Sequence, residues 1–237
     1  ASSRLTKVVA SAFDEPDPRR LRRTRAIVVV HDGRIVAERY TPGFTVDTPL
    51  PGWSMTKGVL GALVGILVGE GRLSLADAQL LPEWRAPDPR AAITVEDLLR
   101  MRSGLTFVEN YADLSSDVIQ MLFRRPDAAA YAASRPLGAP VGTVWSYSSG
   151  TTNILAGILR RILGDLDYVS WPRRVLFDPI GMTSAVIEPD ASGTFVCSSF
   201  MLATARDWAR LGQLYAQEYG EAIAAFTGAE RVWFIFH

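Results

Sequence analysis

Only two lysines occur in the chain, Lys7 and Lys57, and the second follows Ser54 by three residues. At the start of a helix that spacing puts both side chains on one face, where an ammonium group can reach a hydroxyl. Free N–H groups and the positive end of the helix dipole favour an alkoxide and an oxyanion at the same place. A lysine beside an apolar helix also loses solvation, which lowers its pKa toward the range in which it accepts a proton. The chemistry implied is attack by a serine activated without histidine. Histidine is indeed scarce: His31 falls in a proposed hairpin turn and His237 is terminal, so neither is placed for a Ser-His-Asp triad. Ser-x-x-Lys alone is a weak pattern in a chain with 17 serines. Without further context Ser54 is equally a helix N-cap, and Lys57 equally a surface residue with its stem laid on apolar neighbours.

A second constellation is Tyr147-Ser148-Ser149, which follows Val141 to Ser146 and precedes an expected helix from Thr151 to Leu163. It can aim a phenol and a hydroxyl at one spot, although a loop tyrosine more often closes the edge of a core. Gly52-Trp53-Ser54-Met55-Thr56 matches the Gly-x-Ser-x-Gly elbow of α/β-hydrolases except in its last member, but no strand precedes it and its histidine partner is missing.

The elements that must position these residues are legible from breakers and periodicity. Ile27 to Val30 and Ile35 to Val36 flank Asp32-Gly33, a dipeptide favoured in tight hairpin turns. Thr41 to Trp53 is loop, and from Met55 the pattern turns helical until Gly71, so Ser54 stands where a loop enters a buried helix. Gly61, Gly65 and Gly69 leave one stripe of that helix bare, which suits close approach of another element. Thr94 and Asp97 announce a second helix by a capping box. Ser115 to Phe123, Asp127 to Ala133, Thr151 to Leu163 and Ala203 to Tyr215 are expected as further helices.

With 237 residues, 48% of them hydrophobic and 21% charged, the chain can bury one sizeable core. Twenty-five basic residues balance twenty-five acidic ones, so whole-chain attraction to nucleic acid or an anionic membrane is excluded. The arginine-rich lead-in from Arg19 to Arg25 has Asp14, Glu15 and Asp17 beside it and no interleaved aromatics, so it reads as a self-compensating segment. Cys197 is the only cysteine, which rules out an internal disulfide, and with two histidines the chain is poorly supplied for a Cys/His zinc site. Neither a metal nor a cofactor is expected. Val59 to Val68 is the longest apolar run, roughly half of the ~20 residues a membrane span needs. The chain starts at Ala1 and shows no legible signal peptide, so a cytoplasmic location is the default expectation.

Taken in order, these residues resemble the serine β-lactamase and penicillin-binding-protein superfamily, in its class C-like esterase and 6-aminohexanoate-oligomer hydrolase branch. The resemblance runs from about Ala26 to Tyr215. It rests on Gly52 to Lys57 followed by Gly71 to Leu75, on Ile93 to Leu99 leading to Ser103-Gly104-Leu105, and on Trp145 to Asn153. Phe177 to Met182 and Ala203 to Asp207 complete it. The implied fold is a single α/β (α+β) domain over residues 1–237, with an antiparallel sheet flanked by helices and a large helical region. The implied activity is a two-step acyl transfer on an ester or linear amide, with Ser54 as nucleophile and Lys57 and Tyr147 sharing proton removal and delivery. The Ser54 backbone N–H would be one oxyanion donor.

Ser149 stands where family members with Tyr-x-Asn carry the asparagine that contacts substrate and lysine, which leans away from a true β-lactamase or a D-Ala-D-Ala carboxypeptidase. Ser149 and Tyr111, the latter within Glu109-Asn110-Tyr111, are the candidate substrate-binding residues. The family's third motif, Lys/His-Thr/Ser-Gly on a strand, has no good match: Phe226-Thr227-Gly228 lacks the base and has only Arg231 to Phe236 as a strand behind it. The pattern fades after about Tyr219, so the chain is expected to be C-terminally incomplete, with Gly220 to His237 a foreign or frame-altered tail. Exposed sheet surface would then favour self-association. A catalytically dead homologue that only binds is the alternative from outside the enzymes.

Overall fold

Asp32 and Gly33 take φ values of 49° and 71°, the paired left-handed conformation of a two-residue hairpin turn. The strands on either side pair antiparallel from Ala26↔Tyr40 to His31↔Arg34. The structure is a computed structural model that describes residues 3–227 and 232–236. Its elements in chain order are α1 (Ser3–Ser11), β1 (Ala26–His31), β2 (Arg34–Tyr40), β3 (Pro49–Pro51), α2 (Thr56–Gly69), α3 (Val95–Leu99), α4 (Asp117–Arg124), α5 (Ala128–Ala133) and α6 (Ser149–Leu163), followed by α7 (Asp165–Tyr168), β4 (Val186–Ile187), β5 (Met201–Thr204), α8 (Ala205–Thr227) and β6 (Val232–Phe236). They form two compact units. One comprises Ala1–Pro51, Phe177–Val186 and Leu202–His237, and the other Gly52–Leu176 and Ile187–Met201.

The first unit is built on a sheet of order β2-β1-β6, all antiparallel. Strand β1 reads Ala-Ile-Val-Val-Val-His, and both of its faces are buried. Ile27 and Val29 pack with Val9 of α1, with Leu5, Phe13 and Val36 around them. Ala26 and Val28, fully buried, point the other way by the two-residue period of a strand. Helix α8 is tied to β2 by a two-pronged ion pair, Arg206 to Glu38, with both N···O distances 2.7 Å. It is tied to β3 by the Trp208 indole N–H, which donates to the Leu50 carbonyl at 3.2 Å. The expected helix at Ala203 begins two residues later and runs on to Thr227, because Met201–Thr204 pairs with β3 as a strand. Phe226 and Thr227 therefore belong to a helix, and Gly228 lies outside the described residues. Glu15 accepts the backbone N–H groups of Arg22 and Arg23, in keeping with a self-compensating lead-in.

The second unit is helical and carries the densest core. From Ser149 to Leu159 only Gly157 in α6 is not fully buried, and α6 packs on α2, α3 and α5. Close helix approach occurs here and not where the α2 glycines predict it. A Cβ at Gly157 would stand 2.9 Å from the Ala129 Cβ on α5, whereas one at Gly65 or Gly69 would meet nothing within 4 Å. The α2 stripe instead faces outward, since Gly65 and Gly69 are exposed while Val59, Leu60, Leu63, Val64 and Leu67 make the buried face. Helix α3 carries the expected capping box, Thr94 with Asp97.

Candidate active site

A short 3-10 turn, Trp53–Met55, leads into α2 and carries Ser54. The Gly52 N–H donates to the Met201 carbonyl at 2.8 Å, which anchors the turn to the first residue of β5. Trp53 sits in left-handed backbone at φ 44°, a strained conformation for a bulky side chain. Ser54 makes no side-chain capping bond, so the N-cap alternative drops away. Its Oγ faces two proton-bearing groups instead: Lys57 Nζ donates to it at 3.1 Å and the Tyr147 hydroxyl donates to it at 2.8 Å. Lys57 and Tyr147, ninety residues apart in the chain, also meet each other, with Nζ 5.0 Å from the phenol ring centroid.

Lys57 uses all three of its N–H donors. Besides Ser54 it bonds Ser149 Oγ at 3.2 Å and the Ser198 carbonyl at 2.9 Å. An ammonium group with three acceptors has a fixed position, and only one of the three is the nucleophile. Ser149 is fully buried, and its hydroxyl passes the connection on by donating to Glu109 Oε1 at 2.6 Å. Glu109 Oε2 accepts the Ser149 N–H at 2.8 Å. One hydroxyl thus links the lysine to a carboxylate. Ser149 lies beside Lys57 as expected, but its polar atoms are engaged inside the protein and none faces outward.

Tyr111 lies next to this network, its hydroxyl donating to Glu109 at 3.2 Å. Burial, opposed by the hydrogen bond with Ser149 and reinforced by the Glu109 charge, raises its pKa, so the phenol stays neutral. Sequence reasoning passed over Glu109 as a mere neighbour of Tyr111. It also passed over Asn153, whose Oδ1 accepts the Ser198 N–H at 3.1 Å and whose Nδ2 donates to Ser198 Oγ at 3.0 Å. Asn153 is fully buried, four residues after Ser149 on α6, and it holds Ser198, the residue whose carbonyl receives Lys57. A polar amide in the middle of an apolar helix face was the available signal for it. No cluster of three His, Cys, Asp or Glu side chains suited to a metal is found among the described residues.

Chemically the arrangement offers a hydroxyl at the N-terminal end of a helix, two groups able to exchange its proton, and a carboxylate balancing the lysine charge from behind. A family model described as beta-lactamase matches residues 9–230. The chain belongs to the beta-lactamase family. A curated relative, the 6-aminohexanoate-dimer hydrolase of Paenarthrobacter ureafaciens, is 28% identical over 210 residues, covering 81% of this chain and 51% of its own length. Among solved structures, one from Bacillus anthracis provisionally named as a 6-aminohexanoate-dimer hydrolase matches with TM-score 0.70 at 28% identity, over 83% of this chain and 55% of the other. The D-amino acid amidase of Ochrobactrum anthropi matches in fold, with TM-score 0.69 at 19% identity, over 92% of this chain and 70% of the other. The chain spans about half the length of the curated relative it matches. These matches support the β-lactamase-like α/β fold of helices and antiparallel sheets expected from the sequence. No helix among the described residues is long and apolar enough to cross a membrane.

Proposed function

We propose that this beta-lactamase family chain is a serine hydrolase acting on an ester or linear amide through an acyl-enzyme at Ser54. The observation that carries the reading is the double contact at the Ser54 hydroxyl, 3.1 Å from Lys57 Nζ and 2.8 Å from the Tyr147 oxygen. In the reactive form the Lys57–Tyr147 pair holds one proton fewer than the ammonium and phenol together; Ser54 Oγ bonds to the carbonyl carbon while its proton passes to that vacant position on the pair. The C–O or C–N bond then breaks, and the same proton leaves on the departing alcohol or amine. Water attacks the acyl-enzyme in the second step, gives one proton to the pair, and the pair returns it to Ser54. The Ser54 N–H is the oxyanion donor in this scheme. Ser149 and Glu109 act on the substrate only through Lys57, and Tyr111 lines the approach. We read residues 1–237 as one functional domain, in line with a family match that spans both compact units. The outer strands β2 and β6 are the edges through which copies would associate, which light scattering measures.

The decisive experiment is intact mass after exposure of the folded protein and of Ser54→Ala to a fluorophosphonate. A stoichiometric adduct on the parent that is absent from the variant establishes an activated nucleophile. No adduct on a protein shown by circular dichroism to be folded makes the chain a binder.

A further inference from the structure

Folded proteins place large aromatic side chains inside, yet four stand in a row that includes the residue before Ser54. Trp53 is 48% exposed, Tyr111 45% and Phe123 58%, and Phe200 is half-buried between them. The rings are in sequence contact: Tyr111 to Trp53 at 6.4 Å and nearly perpendicular, Trp53 to Phe200 at 6.4 Å, and Phe200 to Phe123 at 6.0 Å. Edge-to-face contacts of this kind hold the rings in place while leaving their outer faces open. All four belong to the helical unit that carries Ser54, Lys57 and Tyr147.

Two features separate this row from an ordinary apolar surface. One of its two inner rings, Trp53, sits on strained backbone, so the fold holds it outward against a conformational preference that would be met more easily by glycine. Its near end is wired to the reacting groups, because Tyr111 bonds Glu109, Glu109 bonds Ser149, and Ser149 bonds Lys57. An exposed aromatic row that includes the residue before the nucleophile is available to whatever is attached to the carbonyl under attack.

We propose that Trp53, Tyr111, Phe200 and Phe123 form a binding track for a flat apolar group carried by the substrate next to its ester or amide bond. The inference rests on the serine hydrolase reading above and names the substrate class for that site: an aryl or similarly flat hydrocarbon substituent, in preference to a small or charged one.

The test separates binding from reaction. On Ser54→Ala, which forms no acyl-enzyme, titration calorimetry compares N-benzyl-phenylacetamide with N-ethylacetamide. The aryl amide binds at least about tenfold more tightly, and the preference disappears when either Trp53→Ala or Phe123→Ser is added. Trp145→Ala, which removes a 64% exposed tryptophan outside the row, leaves it unchanged. In the parent chain, a phenyl-bearing fluorophosphonate labels Ser54 faster than its ethyl counterpart by a similar factor; the Oγ–P bond forms as P–F breaks, and fluoride departs. Equal binding of the two amides, or equal loss in Trp145→Ala, overturns the track. So does a parent dimer in light scattering that dissociates in Trp53→Ala, because a second copy would then be the occupant. Aryl binding without any phosphonate adduct would sink the hydrolase reading and leave the track standing. Near-ultraviolet circular dichroism confirms that each variant is folded, and Trp53→Ala and Phe123→Ser remove an inner and a terminal member of the row, so a defect in one does not decide the result.

Discussion

Both compact units bury polar groups, but the network of the helical unit ends on reactive side chains. In the helical unit the polar network is buried and closed: Asn153, Ser149 and Ser198 are 0% exposed, and they terminate on Lys57 and Glu109. In the sheet unit Asp207, 1% exposed, accepts the Ser184 N–H and hydroxyl and pairs with Arg210, while a second tie, Arg206 to Glu38, lies near the surface, with the guanidinium side chain 42% exposed. A buried network tolerates no missing member, because each leaves a desolvated partner behind, whereas a surface pair can be replaced by water. Every residue of the candidate site lies in the helical unit, where burial holds the reacting groups in place, whereas the Arg206–Glu38 pair of the sheet unit is an exchangeable contact.

The largest expected effect breaks the buried network at its reactive end. Lys57→Met should slow phosphonylation of Ser54 by about 10²–10⁴-fold, read as a mass time course, and a loss under tenfold would remove lysine from proton transfer. Glu109→Gln keeps the shape but withdraws the charge behind Ser149, and the same assay should show about a 10–100-fold loss. Asn153→Ala leaves the Ser198 N–H without its partner inside the core, leaves the Ser198 hydroxyl with only the Ser199 hydroxyl, and should destabilise by about 1–3 kcal/mol. Cys197 gives a local readout of that loss. It is fully buried, and burial pushes its thiol up to about 12, so it should resist alkylation until the helical unit opens. Labelling in dilute urea should accelerate strongly in Asn153→Ala and little in Glu38→Gln; equal acceleration would mean that the two units open together.

Acid provides the matching test of the sheet unit. The hydrogen bonds from Arg206, ahead of the opposing effect of burial, hold the Glu38 carboxyl below its ordinary value of 4.5. A depressed folded pKa contributes stability that is complete above 4.5 and is lost as pH falls through the lower folded value. Urea midpoints measured below pH 4.5 should thus fall more steeply in the parent than in Arg206→Met. The smallest effect is expected at Thr56, whose hydroxyl is fully buried with no hydrogen-bond partner among the described residues. Thr56→Val removes an unmet polar group at constant shape and should leave the melting temperature unchanged or raise it by an amount worth up to about 1 kcal/mol.

Much of this was readable beforehand wherever one local rule governs. Asp32-Gly33 has few conformations compatible with a hairpin, Thr94 and Asp97 cap each other across three residues, and Ser54 and Lys57 share a helix face by spacing alone. What escaped depended on packing between distant segments. The glycines of α2 look like a packing stripe, but which helix face turns inward is set by the whole core, and that face carries the leucines and valines. Glu109 belongs to a loop without periodicity, and its importance arises only when Ser149, forty residues later, is folded onto it. The last two residues of β5, Ala203 and Thr204, read as the start of a helix because Met-Leu-Ala-Thr carries no strand signal until β3 offers it hydrogen bonds.

Tyr147 and Ser149 flank Ser148, whose side chain accepts the Thr151 N–H at 3.3 Å as the cap of α6. The phenol above Ser54 and the hydroxyl beside Lys57 are thus mounted on one helix terminus, and fraying of that single turn withdraws both together. The working lifetime of the site is then the lifetime of one capped turn. Exchange of the Thr151 amide hydrogen with deuterium would clock how often the assembled arrangement comes apart.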